Sequence, residues 1–203
     1  MSVVGCSCEA KFDGLSADYR RALWIVIAIN GLMFVIELAA GALAGSKALQ
    51  ADALDFLGDT ATYGLSLYVI GMSLKARANA ALIKGISLGV MGGYVLATTI
   101  YQVFVLGMPK AEVMGAVGLL ALIANLSSVL LLMRYKDGDA NVKSVWLCSR
   151  NDAIGNIAVM LAAGAVWFTQ TPWPDLIVAM FMAGLFFLSA IQIVRQALVE
   201  RNA

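Results

Sequence analysis

The chain has 203 residues, 61% of them hydrophobic and 13% charged, where a soluble domain of this length is about a quarter charged. Its formal net charge is +1, it contains no histidine, and it has three cysteines, an odd count. These values argue against a histidine-based enzyme, a disulfide framework and nucleic acid as a partner, and they leave room for about six membrane-crossing helices of roughly 20 residues each.

Residues 1–21 read as a cytoplasmic N-terminal tail. The stretch EAKFDGLSADYRR is too long and too acidic for the n-region of a signal peptide, and a full-length apolar run follows it. Cys6 and Cys8 form a Cys-x-Cys pair in this tail, readable as a metal-capture pair or as incidental thiols. Apolar runs then follow at Leu23–Ala44, Ala48–Leu74, Leu82–Leu106, Val113–Met133, Val142–Phe168 and Leu176–Leu198. The breaks carry turn chemistry: Gly45-Ser46, Gly107 with Pro109, Asp137-Gly138-Asp139, and Pro172 with Pro174. The expected fold is all-α, a six-transmembrane-helix bundle over residues 22–199 with no C-terminal cytoplasmic domain. With both termini cytoplasmic, eleven Lys and Arg fall inside and only Lys47 and Lys110 outside, which obeys the positive-inside rule. Arg150 sits within a span, where it snorkels inward or pairs with Glu37.

Span one carries Asn30 and Glu37. Span two carries Asp52, Asp55 and Asp59, which fall within about 60° of one helix face. Charge at this depth is expensive and marks a cavity, a partner or an ion path. Several like charges on one face repel and call for a counter-ion, and nothing cationic obviously faces them. Span three has Gly85, Gly89 and Gly93 at four-residue spacing. Such a face suits close helix approach, either in a homodimer or inside one bundle. Span five places Cys148, Asp152 and Asn156 on one face. Spans two and five run antiparallel. At ~1.5 Å per residue, Asp55 and Asp59 lie ~14 and ~20 Å below the outer boundary, and Cys148 and Asp152 ~9 and ~15 Å above the inner one. Asp55 should then meet Asp152, and Asp59 should meet Cys148. One thiolate and three carboxylates suit a tetrahedral divalent metal, with zinc or cadmium favoured by the sulfur. The bland alternatives are a polar network that glues helices together and, for Cys148, a small buried apolar side chain. Asn156 either orients a ligand or makes an ordinary interhelical hydrogen bond. Trp24, Trp146, Trp167 and Trp173 near the span ends read as interface anchors.

These residues resemble the cation diffusion facilitator family of divalent-metal transporters. The match runs through Asn30, Glu37 and Gly41, then Gly45-Ser46-Lys47-Ala48-Leu49-Gln50-Ala51-Asp52-Ala53-Leu54-Asp55 and Asp59, and in span five through Asp152-Ala153-Ile154-Gly155-Asn156. Cys148 stands where the family has a histidine. The resemblance implies proton-coupled efflux of zinc, with cadmium and cobalt as alternatives, across a bacterial inner membrane, and no prosthetic group. It implies Asp55, Asp59, Cys148 and Asp152 as metal ligands, backed by Asp52, Glu37, Asn156 and Asn30. The family's dimers use the neighbourhood of span three, so Gly85, Gly89 and Gly93 are the expected homodimer face. Two rival readings are a metal-binding membrane subunit that does not transport, and a metal-dependent lipid-headgroup transferase. The latter needs an Asp-Gly and a downstream Ala-Arg ahead of its carboxylates, an arrangement that is absent here.

Overall fold

The structure, a computed structural model, describes residues 16–68, 74–105, 107–136 and 140–202. Among them lie six long helices: α1 (Ala17–Ala44), α2 (Lys47–Tyr68), α3 (Leu74–Val105), α4 (Ala111–Leu132), α5 (Ala140–Thr169) and α6 (Trp173–Asn202). A short 3-10 turn, Met133–Tyr135, closes α4, and no strand occurs among the described residues. Cys6, Cys8 and the loop at Asp137-Gly138-Asp139 fall outside these residues, as do the side chains of Trp146, Cys148 and Arg150.

The boundaries follow local chemistry. Ser16 caps α1 by accepting from Tyr19 N at 3.2 Å. Gly45 ends it in the left-handed region, at φ 69°, and Ser46 N then donates to Gly41 O at 3.0 Å. That conformation is where glycine carries no Cβ penalty. α3 begins at Leu74 rather than at the expected Leu82. The added turns, Leu-Lys-Ala-Arg-Ala-Asn-Ala-Ala, are charged but rich in strong helix formers, so the helix outruns the apolar run. In α6 the ring of Pro174 sits in the first turn, where a missing N–H costs nothing.

Among the described residues, five segments are long and apolar enough to cross a membrane: Ala17–Ala44, Ala81–Val105, Ala111–Tyr135, Asp152–Thr169 and Trp173–Val199. The helix left out of that set is α2, which holds the acidic stripe. The usual partition is inverted. Leu43, Phe104 and Phe168 are more than three-quarters exposed, while Asn30, Glu37, Asp52, Asn125 and Asn156 are buried. In water that surface would drive aggregation; in lipid it is the solvated one. The protein is a multi-pass membrane protein.

α1, α2, α5 and α4 close a four-helix ring in that order, each packing on the next, and α3 lies alongside as a pair with α6, touching the ring through α2 and α5. Two cores result. One, built largely of alanine with Leu49, Met114, Val159 and Phe186, joins the ring to the α3–α6 pair. The other packs Tyr19, Leu23, Val26, Tyr63, Leu67 and Leu132 at the opposite end of the ring. Trp24, Trp167 and Trp173 are exposed near helix ends, as interface anchors would be.

The glycine row of α3 requires a correction. A Cβ on Gly85 would lie 2.7 Å from Val194 Cγ2 and one on Gly89 would lie 3.7 Å from Ala190 Cβ, so both face α6 of the same chain. Gly92 completes this row, with Phe186 Cβ 3.1 Å away, whereas Gly93 has nothing within 4 Å. The row belongs to internal packing at Gly85 and Gly89, and the expected homodimer face is already occupied there. Small residues announce a close approach without naming the partner.

Candidate metal site

The site lies where α2 faces α5 inside the ring. α2 enters it from the Gly45-Ser46 turn, and Gly41 lets the helix pass close by α1: a Cβ there would stand 3.0 Å from Gln50 N. The antiparallel register is read from side-chain pairs. Asn156 Nδ2 donates to Asp52 Oδ2 at 2.6 Å. One step along, the Asp152 carboxyl is hydrogen-bonded to both Asp55 and Asp59. One step further, Tyr63 donates to Asp59 Oδ2, and its oxygen lies 3.3 Å from Ser149 Oγ. The expected meeting of Asp55 with Asp152 is therefore present, and Asp59 joins the same group. The expected partner of Asp59, Cys148, lies on α5 beside Ser149, but its side chain is outside the described residues.

Two tiers of polar residues emerge. Asp55, Asp59 and Asp152 are only partly buried. Behind them runs a sealed chain: Asn125 on α4 donates to Asn156 Oδ1 at 2.8 Å, Asn156 donates to Asp52, and all three are at most 2% exposed. Glu37 on α1, fully buried, ends this chain with its carboxyl against that of Asp52 and close to Asp55. Polar groups from all four ring helices thus meet at one level. Crowded buried carboxyls are costly, so this level trades stability for chemistry. Asn30 stays apart: its Nδ2 donates to Val26 O at 3.0 Å on its own helix. The carboxyls bond to one another rather than converge on a point, and among the described residues no three His, Cys, Asp or Glu side chains stand ready to hold a metal ion.

Four residues of this neighbourhood escaped the sequence reading: Asn125, Ser149, Tyr63 and Lys84. Asn125 is a polar residue in a long apolar run, Ser149 opens the polar run Ser149-Arg150-Asn151-Asp152, and Tyr63 resembles an interface aromatic. Lys84 on α3 corrects the expectation that nothing cationic faces the stripe, because its charge attracts both Asp55 and Asp59. Its place one helix away, in a segment that read as the start of a span, hid it.

The sequence is similar to known proteins. The cation efflux transmembrane domain family matches residues 23–200. The metal cation efflux system protein CzcD of Cupriavidus metallidurans is 28% identical over 190 residues, 83% of this chain and 57% of that protein. A cation efflux system protein CzcD from an Alcaligenes strain matches to the same extent. The zinc transporter ZitB of Yersinia pestis is 25% identical over 193 residues, 89% of this chain and 62% of that protein. The chain thus spans about three-fifths of the length of the curated relatives it matches.

Proposed function

This chain belongs to the cation efflux family, also called the cation diffusion facilitators, and from that premise we propose that it moves a divalent metal cation across the membrane in exchange for protons. Membership of that family sets the headgroup-transferase reading aside. The observation that carries the proposal is the pairing of three partly buried aspartates, Asp55 and Asp59 on α2 with Asp152 on α5, in front of a sealed polar chain.

In this reading Asp55, Asp59 and Asp152 supply three ligands and Cys148 the fourth. Zinc is the favoured substrate, with cadmium and cobalt as alternatives, because a mixed oxygen and sulfur set at tetrahedral geometry suits them. Metal binds carboxylate and thiolate, so each ion taken up releases protons. Reprotonation of the emptied group from the more acidic side completes a cycle of alternating access. Asp52 and Asn156 orient the α2 ligands from behind, and Glu37 lies in reach of the same proton traffic. Both chain termini face the cytoplasm, as the Lys and Arg bias requires.

Metal uptake into proteoliposomes over a panel of zinc, cadmium, cobalt and manganese tests this, run with and without an imposed pH gradient. Uptake of zinc that accelerates when the lumen is acidic is expected. Because protons and metal compete for the same oxygens, half-saturation should rise as the metal-loading side is acidified. Tight binding without flux would instead favour a metal-binding subunit that does not transport.

A further inference from the structure

The start of α2 is closed by a residue of another helix. Asp175, in the first turn of α6, is 1% exposed. Its Oδ1 accepts from Ser46 Oγ at 2.6 Å and from Ala48 N at 3.0 Å, and its Oδ2 accepts from Lys47 N at 2.8 Å. Ser46 Oγ in turn accepts from Leu49 N at 3.1 Å. These backbone N–H groups belong to a helix N-terminus, where the helix itself offers no acceptor. A carboxylate there is a strong, charge-assisted cap.

The same end is held from α1, whose own end is tied to the start of α4. Gln50 Nε2 donates to Gly41 O at 3.2 Å, and Lys110 N donates to Ala44 O at 2.9 Å. Past Asp59 the polar contacts of α2 with α5 are side chain to side chain, as between Tyr63 and Ser149. Asp55 follows Lys47 by about two turns, ~12 Å of stiff helix, so the clamp fixes how deep its carboxyl sits and which way it points. Asp175 also belongs to the helix that pairs with α3, the carrier of Lys84. One joint therefore ties the site helix to the helix that packs on both α5 and α3.

We propose that Asp175 is a positioning residue for metal binding: by clamping the first turn of α2 to α6, it sets the depth and rotation at which Asp55 and Asp59 meet Asp152. The proposal rests on reading those three aspartates as the transported metal's site.

The test is zinc transport by the full chain in proteoliposomes, normalised to folded protein. Asp175→Asn keeps the shape but offers a single acceptor oxygen and no charge. It should raise the half-saturating zinc concentration about tenfold, the scale of losing a group that orients metal ligands. Asp175→Glu, which restores the charge, should recover part of that loss. Ser46→Ala removes one donor of the clamp and should give a smaller shift of the same sign. If Asp175→Asn is not recovered folded, Ser46→Ala and Asp175→Glu decide by the same measure. A cap that serves stability alone would lower the melting temperature and leave half-saturation unchanged, and that result overturns the proposal while transport stands. Wild-type protein that carries no metal would overturn the transport reading and this proposal with it.

Discussion

The four-helix ring and the α3–α6 pair solve the same problem, helix association in lipid, with opposite materials. The ring buries Glu37, Asp52, Asn125 and Asn156 and joins its helices through hydrogen bonds. The pair buries glycine and alanine and joins through contact, with Gly85, Gly89 and Gly92 against Ala183, Phe186, Ala190 and Val194. Packing of small residues is tight and has one good arrangement. A polar network that crowds buried carboxyls together is less stable as it stands and gains from a cation or a proton. The difference teaches where movement of charge belongs: the pair is the rigid neighbour, and the ring is the part that changes its state.

Substitutions that break one region should leave the other's readout alone. The largest effect is expected at Asp152, which bonds to both α2 carboxyls. Asp152→Ala should weaken zinc binding by more than about a hundredfold, beyond the usual cost of losing an orienting partner, as measured by titration calorimetry on folded protein. Next comes the sealed chain. Asn156→Ala removes both the donor to Asp52 and the acceptor of Asn125, and should weaken binding about tenfold. Replacing Asn125 by Leu leaves the Asp52 bond intact and should cost less. The thiol has a selective effect. Cys148→Ser should weaken cadmium about tenfold while leaving manganese nearly unchanged, since sulfur favours soft ions; equal losses for both metals would remove Cys148 from the ligand set.

The smallest effects test the apolar half. Gly92→Ala places a methyl 3.1 Å from Phe186 Cβ and 3.3 Å from Ala183 O, and should destabilise by about 1 kcal/mol. Gly93→Ala meets nothing within 4 Å and should change stability by no more than about 0.5 kcal/mol. Neither should move zinc affinity. A thermal unfolding series read beside calorimetry separates the two halves.

The same contrast explains what the sequence disclosed. Span positions, the Gly45-Ser46 break and the facing of Asp55 and Asp152 follow from hydropathy, turn chemistry and rise per residue, which are local or additive. Asp152 also reached Asp59, because four residues along a helix leave two carboxyls on one face within reach of a third. What stayed hidden depended on rotation and neighbour choice. Nothing in one helix says that Asp175 will cap another, that Asn125 will reach Asn156, or that Lys84 will stand near α2. The glycine row likewise announced a close approach, but only the packing of α6 shows who makes it.

Zinc-driven proton flux in sealed proteoliposomes, compared between wild type, Asp55→Ala and Asp59→Ala, tests the central claim most directly. The claim predicts proton counter-flow on zinc addition in the wild type and none above the leak of empty liposomes in either folded variant. Retention of wild-type flux in both variants would contradict it.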